Sequence, residues 1–533
     1  MHNNWLVLLP PCIVLLSAFI TQRLNISLLI GILAGSLIAT DFSLVNGLTL
    51  SMQRLFSIVS DPENISLYAF LFIISIIIVL LNRTGGAFAF ATALTNKIRS
   101  KRMAETSSLL LSLTLFIDDY LNGLTVGYVM RPITDRFNIP RAKLAFLVQA
   151  MTAPLVILAP ISSWGGAITG ALEQAGIGAL GTHNVKILGD PFFIYIEAIP
   201  YIFYSFIIIG ATWFIVQSRI SYGPMREHEK LADTTGNLFG GKKPLLDSFA
   251  NNDHAQGSLA DLLLPLITLI GGVVIGSLYA GDYYLFGGKH SFIDAFKYND
   301  KILFILVMSS IITLIVSYLF AYIRNKIASQ DTLKMIKEGY DLIYSAIFMV
   351  ILAATLGTIL KADLLTGQYL ANILHGSLSA MFLPLIFFII STIAAAITGS
   401  SWGTIMLLSP IAVPMLITLA QVPIPTTPDS LPYLLPVLGA IFSGSVCGNH
   451  ISPIADVTIM TATSSGSYPL DHAHTQFLYI VPAIISCAIS YLLSGFLVSY
   501  PLAIRLLIPL IVGLLLCCVM LYSMHVIYKR RNT

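Results

Sequence analysis

Two stretches of the chain set oxygen and nitrogen ligands where apolar residues would be expected. The first is "FIDDYLNG", with Asp118 and Asp119 adjacent and Asn122 one turn on. The second is "SGSVCGNHISPIADVTIM", in which Gly444, Gly448 and Pro453 interrupt a helix while Asn449, His450, Ser452, Asp456 and Thr458 supply ligands. Such a set suits a small hard cation, because Na⁺ prefers carboxylate, carbonyl and amide oxygens. A carboxylate that accepts either a proton or a cation makes the two compete, and competition at one site gives exchange. Asp456 is the strongest single candidate, with Na⁺ held there by Asn449 and Asp119. His450 can titrate near neutrality or donate to a freed carbonyl. Adjacent residues of a helix point about 100° apart, so one of Asp118 and Asp119 faces the site while the other caps a helix.

Two further interruptions share one tetrapeptide. "SSWG" stands at Ser162, Ser163, Trp164 and Gly165, and again at Ser400, Ser401, Trp402 and Gly403, the second copy flanked by Thr398 and Thr404. The copies are not equivalent by position, one lying in a broken span and the other at a hairpin tip. Non-helical backbone at membrane depth survives only where it is buried in protein or lines a wet cavity, so four breaks imply a cavity. Trp164 and Trp402 fall at breaks and not at span ends, which favours the cavity wall over an interfacial belt.

The elements that must position these residues follow from composition. Of 533 residues 56% are hydrophobic and only 10% charged, which excludes an ordinary soluble protein, and the net charge of +3 adds little. The opening apolar run has no basic leader or cleavage site and reads as a retained span. The five cysteines, Cys12, Cys447, Cys487, Cys517 and Cys518, form neither a CxxC nor a metal spacing and read as buried free thiols. Lys and Arg cluster at 96 to 102, 131 to 143, 219 to 243, 324 to 337 and 529 to 531, whereas 423 to 432 has neither. By the positive-inside rule the former are cytoplasmic.

Residues 103–130 lie between two cytoplasmic clusters and are too few for two crossings of about 20 residues each, so they predict a re-entrant hairpin. A second hairpin is predicted at 380–419. The expected fold is an all-α polytopic membrane protein of about 11 transmembrane helices plus two re-entrant hairpins, in two inverted-topology repeats with broken helices. Its divisions are N-terminal spans 1–60; a first repeat 61–220 with broken span 144–174; a cytoplasmic polar loop 221–258; connecting spans 259–325; a second repeat 326–500 with broken span 432–463; and a C-terminal span and tail 501–533. The N-terminus is expected outside and the C-terminus in the cytoplasm. "DHAH" at 471 to 474 reads as a solvated loop, and Glu197 and Asp341 as residues near span starts.

The stretches from Phe116 to Ile168 and from Ser443 to Gly466 resemble the NhaC family of sodium/proton antiporters, within the ion transporter superfamily. The likeness runs from about residue 60 to 500, on the Asp-Asp-Tyr and Asn of the first hairpin, Met-Arg-Pro-Ile-Thr-Asp, Ser-Trp-Gly, and Gly-Asn-His with Ser-Pro-Ile and Asp. It implies an ion path at Asp118, Asp119, Asn122, Ser400, Trp402, Asn449, His450, Ser452 and Asp456. It also implies an antiporter of the bacterial inner membrane, exchanging cytoplasmic Na⁺ for H⁺ by alternating access. Because the family includes exchangers of small organic acids, the runner-up is a cation-coupled exchanger of a small carboxylate or amino acid. The expected partners are membrane lipid and the transported cation or organic solute; a homodimer is compatible, nucleic acid is not a partner, and no cofactor is implied. An enzyme is disfavoured: "DDYLN" approaches a diphosphate-binding motif but lacks its third carboxylate, and no GxxxxGK[ST] occurs.

Overall fold

The computed structural model describes residues 4–21, 23–86, 89, 98–178, 185–245, 257–297, 301–374 and 379–531. Among the described residues the chain is almost wholly helical, and the one sheet is a two-residue parallel pairing of Ile177–Gly178 with Ile187–Leu188. Among the described residues ten helices are long and apolar enough to cross a membrane, and the shorter apolar helices Trp5–Thr21 and Leu24–Ala39 stand beside them. The protein is an all-α, multi-pass membrane protein. The ten differ in make-up from the eleven expected: the first two expected spans are the two shorter helices and the broken span at 144–174 does not count, while Ala380–Thr398 and Ser401–Ala420, expected as the arms of one hairpin, are each long enough to count.

In chain order the helices are α1 (Leu9–Thr21), α2 (Leu24–Ala39), α3 (Leu44–Ser60), α4 (Pro62–Thr84), α5 (Lys101–Thr114), α6 (Asp119–Arg136), α7 (Arg141–Val156), α8 (Ser163–Ala175), α9 (Pro191–Ala198), α10 (Phe203–Ser218) and α11 (Gly223–Thr235). After these come α12 (Leu259–Ala280), α13 (Phe292–Lys297), α14 (Ile302–Ile323), α15 (Thr332–Thr358), α16 (Thr366–Leu374), α17 (Leu383–Thr398), α18 (Ser401–Ala420), α19 (Leu434–Ile451), α20 (Asp456–Ser465), α21 (Pro469–Phe496) and α22 (Leu502–Arg531).

Four of these helices begin inside the bundle, each for a local reason. Between α5 and α6 the chain leaves the helix at Leu115, and Asp118 restarts it by accepting from Leu121 N at 3.0 Å. Pro154 and Pro160 bracket the end of α7, and Ser162 caps α8. Gly399, at φ 67°, closes α17 in the left-handed region that only glycine adopts without strain, and Ser400 caps α18. Pro453 follows the end of α19, and α20 starts at Asp456.

The two halves interlock through these pieces. Helix α6 packs on α20 of the second half, while α18 packs on α8 of the first. Helices α4, α14 and α15 pack together beside them, and α15 also lies along α18. The apolar core is continuous through α4, the broken helices, α10, α19 and α21.

Three expectations are corrected. The polar stretch 221–258 is not all loop, because α11 folds back under the bundle and buries Glu229. "DHAH" is the first turn of α21, with His472 fully buried. Cys12 is exposed, although Cys447, Cys487 and Cys517 are buried as free thiols.

The buried Glu229 explains why α11 orders. Lys143 Nζ, itself buried, sits 2.8 Å from Glu105 Oε1 and 2.5 Å from Glu229 Oε1, and Arg219 Nη1 donates to Glu105 Oε2 at 3.1 Å. One lysine thus joins α5, α7 and α11. Removing one partner of such a buried group leaves uncompensated charge, at a cost of about 3–5 kcal/mol. Lys143→Met is therefore expected to lower the melting temperature of the detergent-purified protein sharply, whereas Lys101→Met, which removes a partly exposed pair with Asp233, moves it little. Equal melting temperatures for the two variants would show that the triad does not hold α11.

Candidate functional site

The four internal helix starts meet at one cavity. Asp118, Asp119 and Tyr120 enter it from the start of α6, Trp164 from α8, Ser400, Ser401 and Trp402 from α18, and Asp456 from α20, with Asn449 from the end of α19. Ile343, Ala346 and Met349 of α15 form the facing wall. The space is about 410 Å³, counting what opens at its mouth.

The carboxylates differ in access and in partners. Asp118 and Asp119 are each only 4% exposed, whereas Asp456 is exposed at the mouth. Asp118 Oδ1 is engaged by its cap bond, Asp119 Oδ1 accepts from Tyr120 N at 3.2 Å, and Asp456 Oδ1 accepts from Val457 N at 2.8 Å. Tyr120 Oη donates to Asp456 Oδ2 at 3.0 Å, so a residue of the first half clasps the carboxylate of the second. Asn449 donates from Nδ2 to Ser401 Oγ at 3.1 Å, while its buried Oδ1 has no hydrogen-bond partner among the described residues. No Lys or Arg lines the cavity among the described residues.

The two SSWG copies turn out to be the same device. Ser162 Oγ accepts from Gly165 N and Ser400 Oγ from Gly403 N, each at 3.2 Å, so in both the first serine is the cap and the tryptophan stands at the second helical position. Although they occupy different places in the chain, α8 and α18 lie side by side, and the indoles meet edge to face with centroids 6.1 Å apart. Gly165 admits no side chain, because a Cβ there would lie 1.9 Å from Pro160 O.

Other residues named from the sequence support the cavity without lining it. Asn122 is fully buried and donates from Nδ2 to Ser112 O and Leu115 O at 2.8 and 3.3 Å, clamping the break between α5 and α6. His450 turns away, with Nδ1 2.9 Å from Tyr204 Oη under α10. Ser452 ends α19 and is buried. Ser163 N donates to Ile117 O at 2.9 Å, tying α8 to the first break. Thr398 Oγ1 accepts from Ser400 N at 3.3 Å, Thr404 Oγ1 donates to Ser400 O at 2.9 Å, and Gly403 lies against Leu24.

Sequence reasoning passed over Tyr120, the α15 wall, and a buried polar group beneath the site. There Gln149 Nε2 donates to Thr458 Oγ1 at 2.7 Å, and Gln149 Oε1 lies 2.5 Å from His472 Nε2. The signal available was one amide, Gln149, midway along α7 in the apolar stretch after its basic first turn. Among the described residues no three His, Cys, Asp or Glu side chains cluster closely enough to hold a metal ion by themselves. Asp456, Asn449 and Asp119 do share the cavity, and Asn449 Oδ1 is buried without a hydrogen-bond partner among the described residues.

The family model described as "Na+/H+ antiporter family" matches residues 155–496. An uncharacterized protein of Haemophilus influenzae (strain ATCC 51907 / DSM 11121 / KW20 / Rd) is 30% identical over 495 residues, 92% of this chain and 90% of that one. A malate-2H(+)/Na(+)-lactate antiporter of Bacillus subtilis (strain 168) is 30% identical over 109 residues, 20% of this chain and 21% of that one. Among solved structures, the Alcanivorax borkumensis YdaH transporter matches with a TM-score of 0.49 at 13% identity, covering 83% of this chain and 90% of that chain.

The clasp on Asp456 can be tested directly. Tyr120→Phe keeps the ring and removes the donor to Asp456, a charge-assisted bond worth about 1.5–3 kcal/mol. It is expected to change the half-saturating cation concentration about tenfold or more in a transport or binding titration, while the melting temperature stays within a few degrees of the parent. An unchanged titration would show that the Tyr120 bond is incidental.

Proposed function

Because the chain belongs to the Na+/H+ antiporter family, we propose that it exchanges Na⁺ for H⁺ across a bacterial inner membrane, with Asp456 as the group that trades one for the other. The observation that carries this reading is the cavity itself, which three carboxylates from two interlocked halves line together with Asn449, with no basic side chain among the described lining residues. A monovalent cation satisfies the freed oxygens; a proton on the same carboxylate displaces it. Asp119 and Asn449 complete the cation shell, and Asp118 holds the start of α6. The Lys and Arg clusters support a cytoplasmic C-terminus and an external N-terminus. Alternating access is supported by the broken helices, which can present one site to either side as α15 and the interlocked halves shift.

A second reading has its own observation. Four helix N-termini point at the cavity, and helix N-termini favour anions, so a small carboxylate carried together with cations also suits it. The short match to the malate and lactate antiporter is in keeping with this. Proteoliposomes separate the two: a Na⁺ gradient that moves protons without any organic acid supports Na⁺/H⁺ exchange, and flux that requires malate or lactate supports the second reading.

Asp456→Asn keeps the size and one oxygen of the side chain but cannot trade a proton for a cation. It is expected to abolish Na⁺-driven proton flux with normal insertion, since removing a charge at membrane depth eases insertion by up to about 3 kcal/mol. Near-normal flux in this variant would pass the role to Asp118 and Asp119.

A further inference from the structure

Helix α19 ends inside the bundle, so its last carbonyls have no partners within the helix, and lipid offers no donors. Two of them are met by side chains of other helices. Thr458 Oγ1 of α20 donates to Asn449 O at 3.3 Å, and Gln476 Nε2 of α21 donates to His450 O at 2.7 Å. The first of these bonds ends a longer file. Gln149 of α7 donates from Nε2 to Thr458 Oγ1 at 2.7 Å, and its Oε1 lies 2.5 Å from Nε2 of His472 in the first turn of α21. Gln149, Thr458 and His472 are fully buried, and none of them lines the cavity.

The direction of the file follows from its far end. Thr461 Oγ1 lies 3.2 Å from His472 Nε2 but gives its own hydrogen to Val457 O at 2.8 Å, so it accepts from the ring. His472 is therefore the Nε2–H tautomer, with that hydrogen shared between Thr461 and Gln149. From there each hydrogen points the same way, onto Gln149 Oε1, onto Thr458 Oγ1 and onto Asn449 O. A carboxamide passes no proton from its oxygen to its nitrogen without becoming an imidic acid, so the file works as a strut and not as a proton wire. What it spans is the site itself: Thr458 stands two residues after Asp456 at the start of α20, and Asn449 two residues before the end of α19.

We infer that Gln149, braced by His472, is a positioning residue for the cation site, fixing through Thr458 the separation of Asn449 from Asp456. The inference rests on the reading of Asp456, Asn449 and Asp119 as the cation shell and adds the residues that set its dimensions. Partners one layer behind the ligands of a metal ion typically change its affinity about 10–100-fold when removed.

The test uses the full-length protein in proteoliposomes, with Na⁺-driven proton flux measured against Na⁺ concentration. Gln149→Leu removes both ends of the strut and is expected to raise the Na⁺ half-saturation about tenfold or more while the maximal rate stays within about threefold. His472→Leu is expected to match it. His472→Gln puts an amide N–H where the ring N–H lies and is expected to stay within about twofold of the parent in both quantities. Should Gln149→Leu fail to fold, Thr458→Val, which removes the hydroxyl between Gln149 and Asn449, is expected to show the same split. An unmoved half-saturation in the Gln149 or Thr458 variant overturns the inference. So does a His472→Gln variant as impaired as His472→Leu, because a ring that no other donor replaces is a proton carrier and not a brace. The Na⁺ dependence of the melting temperature in detergent keeps the two claims apart. Na⁺ stabilisation that the strut variants weaken, in a protein that moves no protons, sinks only the exchange reading; exchange in the parent with all variants normal sinks only this inference; no response to Na⁺ in either assay sinks both.

Discussion

The structure depends on what happens to backbone N–H groups when a helix starts in the middle of a membrane protein. Each start leaves several donors without partners, and lipid can supply none. Here four such starts are gathered at one place, so the donors face a shared polar cavity and one another's side chains. Asp118, Ser162 and Ser400 each turn a side-chain oxygen back onto the backbone, and Asp456 does so one residue away. The cavity therefore exists because the helices break, and the helices can break because the cavity exists. The interlocking of α6 with α20 and of α8 with α18 is the packing that holds all four starts at one point.

This accounts for the division of labour among residues that look alike in the sequence. Asp118 and Asp119 are neighbours, yet the first spends an oxygen capping α6. Asn122 and Asn449 both sit beside carboxylates, but Asn122 donates its amide N–H to the carbonyls of Ser112 and Leu115, whereas Asn449 donates to Ser401 and lines the cavity. His450 lies within the richest motif and still points to Tyr204. Residue type selects which groups can bind; the direction of each helix start selects which do.

Much of the fold was legible because apolar length and the spacing of Lys and Arg are strong signals in a membrane protein. The breaks at Asp118, Ser162, Ser400 and Asp456 were legible for the same reason, since Gly, Pro and charge stand out against apolar runs. What stayed hidden was partnership across long separations. Glu229 reads as one more charge in a polar linker until Lys143 is placed beneath it, 86 residues away. "DHAH" reads as a loop until Gln149 is seen to receive His472. The two SSWG copies differ in their chain context, and only their capping geometry shows them to be one motif used twice. Tyr120 was concealed inside a motif whose acidic residues drew the attention.

The charge balance of the site follows from the same convergence. Three carboxylates carry about −3 when ionised, and four helix N-termini contribute roughly +0.5 each, or about +2 together. The remainder is near −1, which a single monovalent cation or a single proton offsets. Adding a second cation would place like charges together in a poorly hydrated space, where they interact far more strongly than in water. In the proposed exchange, a site balanced for one positive charge would let Na⁺ and H⁺ replace one another and would disfavour their joint occupancy, with no dedicated coupling device beyond this balance. The same arithmetic bears on a carboxylate substrate: it would enter only with cations or protons enough to restore the sum, so any organic acid handled here would travel with cations and not in place of them.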